Sequence, residues 1–581
     1  MSLWNKIPFP AAAEHLPVTD RNVLAGLASV SDVHAWTTAK VDEYRKLALV
    51  LVSIYNAVTP IHRLPTEILE QIFQRRWDNR AGLYLSHVCR RWRDILLHSA
   101  RFWAGALESE EIDAIHATHD PVPYLKALLS RAKPHTHGMS LRFRGFPPRV
   151  VESLDLYFDR LVSLQVAVGE DDLPDRLWPA LLGGMPHLRD LCIQVLVTEQ
   201  DIDAWSDPDD VYRVWFYEEY EDMRWSELSM LSADHLPSLI RLTCPPNILR
   251  HFSNTPFRHL KLQWWENMSP DRETHPYPDH EWIGTLSVFV GHDALETLEL
   301  MPWNFAEISS PALAPVTFSL LRYLRIENDD AKAIAQFMIL LPFPATLRIH
   351  LVNSSWFRDP DFSELLPQED DTQLRAIVGA VDCVHIEQAR LDTADSYRNY
   401  HFIRCYAADL ERLRMDKYTL SPDGLIDVFR DHARITRLVL SLEESGVPID
   451  FHAFPQLEEL DVSGPYVDYT LDLLQPIPSE RTKRPKNTIC PSLARLIIRL
   501  RNPDSSKEAS TEFEVAVSGG QCSGLREVLA QRATPYRNRL SYLEINLPSP
   551  TESGLGHSIS QTTIKGLREL VDGPVIVKSG G

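Results

Sequence analysis

The side chains that could do chemistry are few and poorly grouped. His116 and His119 stand three apart and His135 and His137 two apart, close enough to bring imidazoles together, but no acidic or cysteine partner has metal-ligand spacing. They read as surface or linker histidines. Seven cysteines (Cys89, Cys192, Cys244, Cys383, Cys405, Cys490 and Cys522) are scattered without a close pair, an odd count that suits neither a disulfide framework nor a cysteine-based zinc knuckle. They read as small buried hydrophobes in a reduced compartment. The signatures G-x-G-x-x-G, G-K-[ST], G-x-S-x-G and H-E-x-x-H do not occur. The sequence therefore offers no catalytic residue, no cofactor-binding residue and no metal site, and predicts a protein that is not an enzyme.

Other groupings point to binding. Residues 198–228 interleave acids such as Asp201, Asp209, Glu218 and Asp222 with Trp205, Tyr212, Trp215, Phe216, Tyr217, Tyr220 and Trp225. A solvated insertion does not need seven aromatics, so this stretch is read as folded back on its own domain, with a binding edge for a basic target as the alternative. Trp264, Trp265 and Trp282 pose the same choice. Arg481-Thr-Lys-Arg-Pro-Lys486 resembles a nuclear-import patch and reads more simply as a solvated basic loop. Asn267-Met-Ser and Asn353-Ser-Ser match the glycosylation pattern, which carries weight only with a secretory route.

These residues sit in a chain of 581, too long for one ordinary hydrophobic core, so several domains or one elongated repetitive one are expected. With 44% hydrophobic and 9% aromatic residues, most of it should fold. A net charge of -21 repels phosphate backbones and anionic lipid, which argues against nucleic acid and membrane surfaces as partners. The N-terminus lacks the basic start and apolar run of a signal peptide. Leu47 to Val52 is a short apolar stretch, far below the roughly 20 residues of a membrane span. Pro outnumbers Gly, 41 to 23, which suits many short elements better than long helices.

Three helices are predicted near the N-terminus. Val41, Tyr44, Ala48, Leu51 and Tyr55 share a face, and that helix stops at Pro60. Leu64, Ile68, Leu69, Ile72 and Phe73 form a second stripe, with Pro65 where a missing N–H is harmless and Glu67 near the positive dipole end. Leu85, Val88, Trp92, Ile95 and Leu96 form a third, from which Arg90, Arg91 and Arg93 point away, and Phe102 and Trp103 close the unit.

Beyond it, four nonamers align without gaps, starting at Met185, Leu236, Phe454 and Cys490, each reading apolar, Pro, any, Leu, two mostly polar, Leu, any, apolar. Weaker copies lacking the proline start at Leu161, Phe257, Leu295, Leu321, Leu410, Ile435 and Leu540. Spacings of 26 (Leu295 to Leu321), 25 (Leu410 to Ile435) and 22 (Ile435 to Leu457) fall inside the range of leucine-rich repeats, about 20–29 residues. Two leucines three apart, then an apolar residue two further on, would enter a short strand whose alternate side chains fill a core shared with neighbouring coils. The prolines Pro186, Pro237, Pro455 and Pro491 fit the strand entrance, and Pro422 to Phe429 and Ala331 to Leu341 have helical spacing for the opposite side. The Asn or Cys expected three positions later is replaced by Leu196, Asp329, Pro465 and Arg501, so an irregular version is expected.

The segment Ile61 to Ala106 resembles an F-box, in the form common among fungal F-box-like proteins. The resemblance rests on Leu64-Pro65-x-Glu67-Ile68-Leu69-x-x-Ile72-Phe73, then Val88-Cys89-Arg90-Arg91-Trp92-Arg93, then Phe102-Trp103. It departs from the family between Gln74 and His87, where Arg76 and Trp77 replace an apolar pair. The resemblance implies a substrate receptor of an SCF-type (Skp–cullin–F-box) ubiquitin ligase. Its partners would be the Skp adaptor and, through it, cullin and RING subunits, together with an unknown protein target in the cytoplasm or nucleus. Carried onto this sequence, Leu64, Pro65, Ile68 and Leu69 would contact the adaptor, with Val88, Trp92 and Trp103 building the adjoining face.

The expected fold is α/β, an N-terminal all-α three-helix F-box module followed by an irregular leucine-rich-repeat solenoid. Its parts are a flexible tail (1–36), a leading helix (37–60), the F-box (61–106), a linker (107–136), the repeats (137–560, with the 198–228 insertion) and a C-terminal tail (561–581). In the alternative, a non-ligase interaction scaffold, the F-box-like helices merely cap the repeats.

Overall fold

The computed structural model describes residues 13–75, 80–109, 111–113, 122–133, 137–143, 157–169, 177–196, 228–263, 292, 294–301, 318–328, 330–340, 344–353, 362–366, 372–393, 396–418, 434–442, 449, 451–464, 467–474, 489–500, 521–533, 539–547 and 559–579. It combines helices at the N-terminus with a large sheet. Two compact units are formed, one of Met1–Ile112 with Pro121–Ser140 and one of Asp113–Asp120 with Leu141–Gly581. The aromatic insertion up to residue 227, Trp264, Trp265, Trp282, His116, His119, His135, the expected helix at Pro422 to Phe429 and the basic loop at 481–486 lie outside the described residues.

The first unit is helical: α1 Val18–Gly26, α2 Val30–Val58, α3 Thr66–Gln74, α4 Arg90–His98, α5 Ala100–Ser109 and α6 Val122–Arg131, with 3-10 turns at Pro60–Arg63 and Arg80–His87. Two expected boundaries are corrected. The supposed tail, 1–36, holds α1 and the start of α2, because Ser29 accepts the Asp32 N–H at 3.1 Å and caps α2, which begins seven residues before the expected start at 37. Asp20 of α1 accepts the Tyr44 hydroxyl and lies 3.1 Å from Lys40 Nζ, which fastens α1 to α2. The supposed linker, 107–136, holds α6, whose Leu125, Leu128 and Leu129 are fully buried. Their i, i+3, i+4 spacing makes an apolar face that solvent cannot accept, and it packs against α5.

The second unit is organised by strands β1 Leu161–Gly169, β2 Asp190–Leu196, β3 Arg241–Cys244, β4 His259–Gln263, β5 Thr297–Met301, β6 Tyr323–Asn328, β7 Arg348–Asn353, β8 Cys383–Thr393, β9 Ser396–Ala407, β10 Leu410–Tyr418, β11 Arg437–Ser441, β12 Glu459–Gly464, β13 Arg495–Leu500, β14 Tyr542–Leu547 and β15 Val575–Ser579. From β1 to β7 each strand pairs parallel with the next, and so do β11 to β15. The register brings one apolar side chain per strand into line: Leu164, Leu191, Leu242, Leu260, Leu298, Leu324 and Ile349 in the first run, then Leu438, Leu460, Leu496, Leu543 and Val575 in the second. All are buried, so this row is the spine of the core.

The nonamer leucines lie where their spacing places them: Leu188, Leu191 and Ile193 are buried, as are Leu457, Leu460 and Val462. Their prolines have a different job from the one expected. Each sits inside a four-residue turn closed by the next leucine, with Leu188 N–H on Met185 O at 3.2 Å, Leu239 on Leu236 at 3.2 Å, Leu457 on Phe454 at 3.2 Å and Leu493 on Cys490 at 3.1 Å. Proline presets the backbone of the second turn residue, so it shapes the bend ahead of the strand rather than the strand mouth. After the turn, one carbonyl accepts two amides from the next coil; Arg189, Ile240, Arg258, Glu296, Asp382, Thr436, Glu458 and Ala494 all do this. The segment Ala331–Leu340 is the helix its spacing predicts, burying Ile334, Phe337 and Met338.

The copy at Leu410 is corrected. Leu410 is 60% exposed and begins β10, which pairs antiparallel with β9, as β9 does with β8. This meander is inserted between the two parallel runs, β10 pairing parallel with β7 and β8 with β11. The 25-residue spacing from Leu410 to Ile435 thus joins strands that are not neighbours. Through Leu413, Cys405 and Val384 the apolar row continues unbroken from Ile349 to Leu438. The C-terminal tail, 561–581, is also corrected: Gln561–Arg568 is a helix and β15 pairs with β14, because Leu567, Val571 and Val575 are apolar enough to be buried. Asn353, of the second glycosylation pattern, is fully buried in β7 and so is closed to modification.

Candidate functional site

The candidate site is the surface of the helical unit around α3. Pro65 precedes the first turn, where a residue without N–H costs no hydrogen bond, and Glu67 complements the helix dipole. The helix has apolar residues on two sides. Leu69 and Phe73 point inward and are buried, while Pro65, Ile68 and Ile72, spaced by three and four, share an outward face and are exposed.

The core beneath is aromatic. Phe73 and Trp92 have ring centroids 4.8 Å apart, His62 lies 5.6 Å from Trp92, and Phe102 meets Trp103 edge-on at 5.2 Å. Arg131 of α6 lies over the Trp103 ring at 4.6 Å. These contacts decide which expected adaptor-binding residues are available. Leu69, Trp92 and Trp103 are buried at 0%, 8% and 3% exposure, so they support the surface from within rather than face a partner. Leu64 is half-buried, and Pro65, Ile68 and Val88 are exposed.

Position is fixed by the arginines of α4. Arg91 donates to the carbonyls of His62 and Leu64, the latter at 2.8 Å, and Arg93 Nε donates to Ser86 O at 3.0 Å. Sequence reasoning placed these arginines away from the apolar stripe, where they are, but missed that they tie the two 3-10 segments to α4. Cys89 caps α4, its Sγ accepting the Trp92 N–H at 3.4 Å. Tyr84, 74% exposed, and Leu97 are further apolar groups on this unit that no spacing rule singled out.

Exposed apolar surface is concentrated here. Among the described residues, 17 of the 21 exposed large apolar side chains lie between Val18 and Leu97. Helix α2 contributes most of them, having no buried residue along its 29 positions. Alongside, the Tyr44 hydroxyl and the Lys40 ammonium hold the Asp20 carboxyl below its ordinary value. Among the described residues no group of three or more His, Cys, Asp or Glu is placed to hold a metal ion, and no helix is long and apolar enough to cross a membrane. The exposed side chains of this surface give apolar area of the kind that protein contacts cover.

Residues 61–106 match the family described as F-box-like. The match covers α3, α4 and most of α5, the elements that build the surface described above. No curated protein matches the chain.

Proposed function

We propose that the chain is the substrate-recognition subunit of an SCF-type ubiquitin-protein ligase, related to the F-box-like proteins of fungi. F-box-like domains generally bind Skp adaptors, and the observation that carries the reading is the outward apolar face of α3 inside the matched segment. Pro65, Ile68 and Val88, with Leu64 at their margin, contact the adaptor; cullin and RING subunits follow through it. A buried Leu or Ile contributes roughly 1.5–3 kcal/mol, so three or four such residues are enough to anchor a stable contact. The strand unit is a leucine-rich-repeat-like solenoid that holds the target protein, in the cytoplasm or the nucleus. The protein recruits and does not itself catalyse.

The test is co-purification of the full chain with a Skp adaptor. The wild type should retain the adaptor and Ile68→Asp with Val88→Asp should lose it while the melting curve is unchanged. Retention by the double variant would overturn the assignment.

A further inference from the structure

The face of the sheet opposite the apolar row carries ion pairs with a consistent order: the carboxylate lies beneath and the cation on top. Arg499 is 51% exposed over Asp461 at 5%, and Lys578 57% over Glu544 at 8%. Arg348 is 49% exposed against 15% for Glu411, and Arg437 and Arg495 are 44% and 45% against 19% for the Glu459 they share. Glu387, 48% exposed beside Arg404, is an exception. The acids are consumed in holding the arginines upright, so what solvent meets is mostly guanidinium, in a chain of net charge -21.

The order is densest at the inserted meander. Arg325, His350, Arg414, Arg404 and His385 stand side by side on β6, β7, β10, β9 and β8. Asp416, 2% exposed, pins two of them, with His350 Nε2 at 2.8 Å and Arg414 at 2.8 Å. The Phe402 ring lies under the Arg404 and Arg414 guanidiniums, at 5.9 and 5.6 Å. Arg412 donates to a backbone carbonyl, Thr346 O at 2.7 Å, and brings a further positive charge.

We infer that this row is a docking surface for an acidic, extended segment of a target protein. Five strands about 4.8 Å apart span roughly 19 Å, the length of about six extended residues. Arg414 and Arg348 give their Nε and Nη2 groups to Asp416 and Glu411, which leaves the Nη1 group of Arg348 to meet an incoming carboxylate, while Phe402 under the Arg404 and Arg414 guanidiniums and Tyr406 against His385 offer aromatic surface. A protein segment fits better than nucleic acid. A short acidic segment senses charges within a Debye length of about 8–10 Å, whereas a long phosphate backbone runs on past the row into the field of an acidic chain. The inference rests on the receptor reading and names the class of target.

The test uses the full chain and a short fluorescent peptide of alternating glutamate and tyrosine, with a lysine–tyrosine peptide and a single-stranded oligonucleotide alongside. The acidic peptide should bind, more weakly as salt rises, and Arg348→Gln with Arg404→Gln should lower affinity at least about tenfold. Arg404→Lys with Arg348 intact should keep most of it, and Arg241→Gln, on the same face at β3, should change nothing. Arg412→Gln orphans no carboxylate and should weaken binding even if the double variant does not fold. No binding of the acidic peptide, equal binding of the lysine peptide, tighter binding of the oligonucleotide, or indifference to all the arginine changes would overturn the inference. Adaptor co-purification on the same proteins separates the two assignments. Adaptor bound with peptide unbound defeats the docking surface alone; peptide bound with adaptor unbound defeats the ligase reading alone.

Discussion

The Arg91 guanidinium donates to the Leu64 carbonyl at 2.8 Å across 27 positions of sequence, so α4 holds the residue that leads into α3. A second bond from Arg91 reaches the His62 carbonyl. Pro65 and Ile68 follow directly, and their outward aim depends on this clamp.

Arg91→Ala should therefore weaken the adaptor contact more than it weakens the fold. Arg91 is exposed, and removing its bonds costs about 1 kcal/mol of stability. Titration of the adaptor against the full chain should show an affinity loss of tenfold or more, with thermal unfolding only slightly shifted. Arg91→Lys, which cannot span both carbonyls as a planar fork, should behave like the alanine variant.

The two sides of α3 should respond in opposite ways. Leu69 is fully buried, so Leu69→Ala should destabilise the helical unit by about 2–5 kcal/mol in denaturant unfolding. Ile68 is 41% exposed, so Ile68→Ser should change stability by no more than about 0.5 kcal/mol. Adaptor retention should show the reverse order at temperatures where both variants remain folded.

The hairpin between β9 and β10 turns on Ala408 and Asp409, at φ 49° and 64°, with Ala407 paired to Leu410. A two-residue loop with both central residues at positive φ favours Asn-Gly, and each ordinary residue in that region costs about 1 kcal/mol. Ala408→Asn with Asp409→Gly should stabilise the strand unit by about 1 kcal/mol, seen as a higher denaturant midpoint. A lower midpoint would show that the loop is held by something other than its backbone preference.

Acid should loosen the C-terminal strands. The Lys578 ammonium, 2.5 Å away, and the Tyr542 hydroxyl lower the Glu544 carboxyl to about 2. A folded value below the unfolded one means that the contribution is complete above the ordinary glutamate range, about 4.3, and is lost as pH falls toward the folded value. Discounted for the exposure of Lys578, the effect is about 1–2 kcal/mol. Between pH 5 and pH 2 the wild type should lose more stability than Lys578→Met, measured by thermal unfolding.

Local periodicity was enough to place α3 and α4 and the strands beginning at Asp190, Arg241, Glu459 and Arg495, because spacings of 3.6 and 2 act over a few residues. It overlooked β7, where the copy is one residue shorter, Leu347 closing its turn on Pro344, and β8, where Val381, Val384 and Ile386 replace leucine. It also passed over α6, although the spacing of Leu125, Leu128 and Leu129 was there to be read.

Two decisions belong to the tertiary structure. One is which apolar residues face out: α3 is apolar on both sides, so periodicity marks Ile68 and Leu69 alike, and only packing against Trp92 and its neighbours buries one and leaves the other. The other is strand partnership. The sequence by itself determined that strands lie at Leu410 and just after Ile435, but a strand pairs with whichever edge is free, and the meander gives β10 the edge of β7 and β11 the edge of β8. That non-local choice, invisible to any spacing rule, is what brings Arg414 beside His350 and joins the arginines of the β9–β10 hairpin to the rest of the row.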